Sequence, residues 1–200
     1  MTASADARHA MHTAYCANLA HCGIFCRDLE AMKAFYCGVF DMQETDRGQG
    51  VTFRFDIVFL SGREEQHHQL ALAGGRGLQT PSTVMQLSFK VQCLDHLREA
   101  RRRALALGAT QMRGLNHGNA LSIYCLDPEE NTVEVYLDTP WYVSQPHGDP
   151  LDLDLDDEAI WVQTERLVHS DPSFMPVDEW RRQFVLRGQA LKQAAGTAGG

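Results

Sequence analysis

His21, Gln86, Gln69 and Glu134 are side chains able to ligate a metal, and they stand at two pairs of matching positions, 21/86 and 69/134. The matching comes from an internal repeat at an offset of 65 residues: Leu19-Ala20-His21-Cys22-Gly23-Ile24-Phe25 lies over Val84-Met85-Gln86-Leu87-Ser88-Phe89-Lys90. Downstream, Leu29 falls on Leu94, Glu30 on Asp95, Phe59 on Tyr124, Leu70 on Val135 and Leu72 on Leu137. Imidazole, amide and carboxylate donors brought together by such a repeat suit a divalent ion, and His68 adds a group whose ordinary pKa favours acid–base work near neutrality. Each residue also has a plainer reading. A buried histidine can be merely hydrogen-bonded, Glu134 can face outward between Val133 and Val135, and Tyr124 can be a packing aromatic. Gln86 can bind a metal through its amide oxygen or orient substrate, and Gln69 is expected to line the cleft as a polar group.

The elements that must position these residues repeat as well. After the strand 21–26, Asp28 is a helix cap, and Leu29, Met32, Phe35, Tyr36, Val39 and Phe40 recur at helical spacing, which predicts a helix over 29–40. Strands follow over 42–47, 51–60 and 68–73. The second copy predicts strand 84–91, helix 95–107, then strands 110–113, 119–126 and 132–137. Each copy is a βαβββ unit, and a single unit leaves one sheet face bare, so the two must share a core or cleft. The fold class is therefore α+β. The expected organisation is a flexible leader over 1–14 and a domain over 15–140, with modules at about 17–75 and 82–140. A helical extension follows over 141–192, then a disordered tail over 193–200.

Composition narrows the function. A net charge of −8 in 200 residues argues against a nucleic-acid partner, because phosphate neutralisation needs clustered cations. The dense basic run Arg101-Arg102-Arg103 falls late in a helix, where cations suit the negative end of the dipole. No stretch approaches the ~20 apolar residues of a membrane span, and Met1–Thr13 has no apolar signal-peptide core. The six cysteines form no CxxC pair, and several sit in apolar runs, so a reduced, cytoplasmic setting is expected.

Three local phrases join the repeat: Leu19-Ala20-His21-Cys22-Gly23-Ile24 with Asp28-Leu29 and Phe35-Tyr36; His67-His68-Gln69-Leu70-Ala71-Leu72; and Tyr124-Cys125-Leu126-Asp127-Pro128-Glu129-Glu130-Asn131-Thr132-Val133-Glu134. Together they resemble the vicinal oxygen chelate superfamily of glyoxalases, bleomycin-resistance proteins and extradiol dioxygenases, over about residues 17–140. The second and third phrases are most similar to type I extradiol ring-cleavage enzymes. That resemblance implies two βαβββ modules forming a shared curved sheet around a metal cleft, and a metal-dependent cleavage of a catechol-like aromatic diol with O₂. It implies Fe(II), with Mn(II), Zn(II) or Ni(II) as alternatives, held by His21, Gln86 and Glu134. Gln86 departs from the family pattern, which has histidine there. The resemblance further implies His68 as acid–base, Tyr124 as a hydrogen-bond donor to substrate, His117 as a further active-site imidazole, and a homodimer. The alternatives are a glyoxalase-like isomerase, epimerase or lyase, and a non-catalytic small-molecule binder.

Overall fold

The computed structural model describes residues 17–52 and 54–197. The first module runs β1 (Cys22–Cys26), α1 (Leu29–Phe40), β2 (Gln43–Gln49), β3 (Asp56–Ser61), β4 (Leu70–Gly74). The second repeats the order as β5 (Leu87–Lys90), α2 (Leu94–Ala106), β6 (Thr110–Asn116), β7 (Ala120–Leu126), β8 (Thr132–Asp138). Strand order is β1-β4-β3-β2 in one sheet and β5-β8-β7-β6 in the other, where a short strand from beyond the modules joins at β6, so the topology is duplicated along with the sequence. In each module the first strand runs parallel to the last and forms the sheet edge.

The helices form for the reasons their sequences give. Asp28 caps α1 by accepting from the Ala31 N–H at 3.0 Å, and Met32, Phe35, Tyr36 and Val39 make one buried stripe. Asp41, left-handed at φ 53°, ends the helix. α2 buries Leu94, Leu97, Ala100 and Ala104, and Gly108 at φ 88° reverses the chain after it. The modules share one core: Met32, Phe35 and Tyr36 pack in a cluster that also contains Ala104, Cys125 and Val133. Phe40 of α1 stacks on Phe89 of β5 with ring centroids 3.7 Å apart. Full burial of side chains of this size stabilises by about 1.5–3 kcal/mol each.

The Asp127–Asn131 turn locks the modules together. Asp127 Oδ1 accepts from the Glu129 and Asn131 N–H groups, and Oδ2 accepts from Asn131 Nδ2 and from the Tyr36 hydroxyl at 2.8 Å. Glu129 Oε1 accepts from the Arg27 and Asp28 N–H groups at the start of α1. Its Oε2 lies 3.4 Å from Arg76 of the linker, with both side chains about 95% buried (4% and 5% exposed).

Beyond the modules run β9 (Trp141–Tyr142), β10 (Asp149–Pro150), α3 (Asp157–Ser170), β11 (Met175–Pro176) and α4 (Val177–Thr197). β10 joins the second sheet beside β6, and Asn116 Nδ2 donates to Thr164 of α3 at 2.9 Å in the interior. None of the helices among the described residues is long and apolar enough to cross a membrane.

Several expected boundaries move. The segment 51–60 becomes strand only from Asp56, and His21, His68, Gln69 and Gln86 stand just before their strands rather than within them. The tail expected to be disordered from 193 is helical as far as Thr197; 198–200 and the leader 1–14 lie outside the described residues. The largest correction concerns the repeat itself. Gly23 pairs with Ala71, and its counterpart Ser88 pairs with Glu134, so the offset shortens by two residues at the last strand. The connection 62–69 is longer than 127–131, and the added chain shifts the register. The counterpart of Glu134 is therefore Ala71, and Gln69 is not its mate.

Candidate active site

Glu134 stands at the centre of a polar cradle inside an otherwise apolar sheet. β8 is buried on both faces, with Val133 and Val135 to the core side, so alternation alone could not orient the carboxylate. At 7% exposure, its two oxygens accept four hydrogen bonds. Gln86 Nε2 at 2.9 Å and Ser88 Oγ at 2.6 Å donate to Oε2; Ser122 Oγ at 3.0 Å and the Tyr124 hydroxyl at 2.5 Å donate to Oε1. A carboxylate offers about four acceptor positions, and here all are taken.

The corrected register explains why only one module carries this cradle. The counterparts of Ser88, Ser122, Tyr124 and Glu134 are Gly23, Ile57, Phe59 and Ala71, none with a polar side chain. Only Gln86 has a polar mate, His21. Among the described residues the cradle around Glu134 is thus built in the second module, and Ser88 and Ser122, which the sequence reading passed over, belong to it. The signal for them was a hydroxyl whose repeat mate is apolar.

Tyr124 links the cradle outward. Its hydroxyl lies 3.0 Å from His117 Nε2, and Arg113 sits over its ring at 5.1 Å. Burial, then the hydrogen bond to Glu134 and that carboxylate's charge, hold the phenol well above its ordinary pKa, so it remains a proton donor. His117 Nδ1 faces the main-chain carbonyl of His147 at 2.6 Å. A cavity of about 310 Å³ is lined by Ser88, His117, Tyr124, Glu134, Tyr136 and Gln145.

The remaining expected residues form a second group. His21 is exposed, and its ring lies 4.3 Å from that of His68, centroid to centroid. His68 packs on Phe59, and its Nδ1 is 3.0 Å from His67 Nδ1, while His67 Nε2 is 2.9 Å from Asp46 Oδ2. A carboxylate only accepts, so in a neutral His67 the proton sits on Nε2 and Nδ1 accepts from His68. His68 is then left with a bare Nε2. Burial, followed by the neighbouring His21 and His67, lowers the His68 pKa, which favours the neutral base. Gln69 closes the loop between β3 and β4 by accepting from the Gly62 N–H at 3.0 Å.

The two groups meet at a larger cavity of about 950 Å³, lined by His21, Gln69, Gln86, Ser88, Lys90 and Arg63 among others. Ser88 lines both hollows. Among the described residues no three His, Cys, Asp or Glu side chains converge, and Gln86 offers an amide oxygen as a further donor. Its Nε2 donates to Ser88 and Glu134, and its Oε1 accepts nothing from the described residues. Among the described residues His21 has no hydrogen bond on its ring nitrogens, and imidazole, amide oxygen and carboxylate fit a divalent ion in kind. Glu134 would exchange protein donors for it.

Comparison with known proteins agrees with the doubled fold and its residues. Residues 18–135 match the family model described as Glyoxalase/Bleomycin resistance protein/Dioxygenase superfamily. Biphenyl-2,3-diol 1,2-dioxygenase 2 of Rhodococcus globerulus is 28% identical over 114 residues, 54% of this chain and 56% of that one. The chain thus matches little more than half the length of that relative. Among solved structures, a glyoxylase/bleomycin resistance protein/dioxygenase domain from Frankia sp. EAN1pec is similar with a TM-score of 0.52 at 21% identity, covering 62% of this chain and 100% of that one. The fosfomycin resistance protein FosX of Listeria monocytogenes has a TM-score of 0.50 at 22% identity, covering 62% and 96%. With over half its length matched by the family model and the βαβββ unit present twice, the chain belongs to the glyoxalase/bleomycin resistance protein/dioxygenase superfamily.

Proposed function

We propose that the protein is a divalent-metal-dependent dioxygenase that opens the ring of a catechol-like aromatic diol. The observation that carries this reading is the buried Glu134 carboxylate with the protonated Tyr124 as its donor, in a hollow that shares Ser88 with the cavity lined by His21 and Gln86. His68, its ring 4.3 Å from that of His21, supplies a neutral imidazole beside that cavity. His21, Gln86 and Glu134 would hold the ion, Fe(II) by the resemblance to extradiol enzymes, with Mn(II), Zn(II) or Ni(II) as other occupants. When bound, such an ion supplies Lewis-acid polarisation of both diol oxygens and a place for O₂ beside them.

The chain's own residues perform the proton work. His68 Nε2 accepts the proton of the second diol hydroxyl, with its tautomer held by His67 and Asp46. Tyr124 keeps its proton and offers it as a hydrogen bond where negative charge develops. His117 stands behind Tyr124 as the next proton acceptor. The larger cavity, about 950 Å³, has room for an aromatic ring and its substituents.

Gln86 favours a second reading. Imidazole is the stronger ligand for intermediate metals, so an amide in its place suits a metal that polarises without electron transfer. The reaction would then be an isomerisation, epimerisation or elimination.

Oxygen uptake by Fe(II)-reconstituted protein over a panel of catechols separates these readings. Ring fission predicts oxygen consumption with a yellow product, lost in His21→Ala and Glu134→Ala. Absence of uptake across the panel, with turnover under anaerobic conditions, would establish the second reading. A homodimer is the assembly proposed, and sedimentation in solution measures it.

A further inference from the structure

We propose that Gln145 and His147 of the C-terminal extension are positioning residues that fix His117 in a single tautomer, with its proton on Nδ1 and a bare Nε2 toward Tyr124. The extension belongs to neither copy of the repeat, yet it closes over the turn that carries His117. His147 offers its main-chain carbonyl to His117 Nδ1 at 2.6 Å. A carbonyl can only accept, so Nδ1 carries the hydrogen and, in the neutral ring, Nε2 has the lone pair.

Gln145 ties the main chains of His117 and His147 together. Its Nε2 donates to the His117 carbonyl at 2.8 Å, and its Oε1 accepts from the His147 N–H at 3.2 Å. The same side chain lines the hollow that holds Glu134 and Tyr124. His147 is anchored by its own ring. Nε2 lies 3.1 Å from Asp149 Oδ2, without hydrogen-bond alignment, and Nδ1 lies 3.6 Å from Asp171 Oδ2.

The turn beneath is held just as firmly. Gly118, at φ 73°, has no room for a side chain, because a Cβ there would meet Val143 Cγ2 at 2.4 Å. Thr139 Oγ1 donates to the Gly118 carbonyl at 2.6 Å, and Asn116 Oδ1 accepts from the Gly118 N–H at 2.9 Å.

The consequence lies with the one proton of Tyr124. It has two claimants, Glu134 Oε1 at 2.5 Å and His117 Nε2 at 3.0 Å. With His117 held as the Nδ1–H form, its lone pair is the waiting acceptor whenever a ligand takes Glu134 Oε1. The catalytic meaning rests on the function proposed above; the tautomer itself does not.

The test is a long-range ¹H–¹⁵N spectrum of the histidine rings in the full chain at pH 8, with His117 assigned by the loss of its signals in His117→Gln. The wild type is expected to show the Nδ1–H form. Gln145→Ala is expected to mix the two tautomers and to lower catechol turnover about tenfold. If Gln145→Ala fails to fold, Gln145→Glu, which keeps the acceptor for the His147 N–H but loses the donor to the His117 carbonyl, is expected to mix them too. An Nε2–H form in the wild type, or an unchanged Nδ1–H signature in every folded variant, overturns the proposal. A tautomer shift in a protein that consumes no oxygen with any catechol supports this inference and removes only the function proposed above.

Discussion

Gln86 donates its amide to Glu134 at 2.9 Å, joining the residue before β5 to the middle of β8, 48 positions along the chain. The side chain that stands where the extradiol pattern has histidine therefore serves the carboxylate, while its oxygen stays open. Replacing it should tune metal binding. Gln86→His supplies an imidazole in place of the amide oxygen and removes one donor from Glu134. Affinity for Zn(II) or Mn(II) should rise about tenfold, or about 1.4 kcal/mol, in calorimetric titration. Unchanged affinity would place the residue outside any coordination shell.

Tyr124→Phe removes one of two donors to Glu134 Oε1 and leaves Ser122 alone there. A hydrogen bond to a charged group contributes about 1.5–3 kcal/mol, and urea unfolding should show a loss in that range. The phenol also gives a pH signature. Burial raises both Tyr36 and Tyr124, so their folded pKa values exceed the unfolded one. Their stabilising contribution is complete below the unfolded tyrosine value of about 10 and is lost as pH rises through the folded values. Two of the five tyrosines should therefore stay un-ionised above pH 10 in ultraviolet titration, until the protein unfolds.

Glu129→Ala should be far more damaging than Glu130→Ala. It strips the α1 terminus of an acceptor and leaves the Arg76 guanidinium buried without its partner. Removal of one member of a buried pair costs about 3–5 kcal/mol, measurable by thermal or urea unfolding. Glu130, exposed at the turn tip, should cost under about 1 kcal/mol by the same measurement.

Thiol chemistry should follow burial. Burial pushes Cys26 up to about 12 and Cys125 up to about 11, and nearby carboxylates add to both. At pH 8 neither holds appreciable thiolate, whereas Cys93 is exposed at the start of α2. Iodoacetamide should modify Cys93 in the native protein and reach Cys26 and Cys125 only after denaturation, as read by peptide mass.

The duplication was legible because it lies in the pattern of apolar residues, and that pattern fixes helix and strand locally. The α1 stripe of Met32, Phe35, Tyr36 and Val39 needs nothing beyond its own periodicity and the Asp28 cap. Glu134, Tyr124, Gln86 and His117 were likewise named from the chain, and they are joined by hydrogen bonds in the fold. The symmetry of Gln69 with Glu134 was not sound. A constant offset cannot register a longer β3–β4 connection, and strand pairing, a long-range choice, selected Ala71 instead.

What the chain determined by itself is the doubled βαβββ unit and the types of side chain available to one centre. Tertiary structure decided which copy bears that centre, by surrounding Glu134 with hydroxyls where the other copy has Gly23, Ile57 and Phe59. It also brought His147 of the extension to the back of His117, a contact that no periodicity encodes. Local propensity is read over a few neighbours, whereas register and docking are settled by which distant surfaces bury each other best.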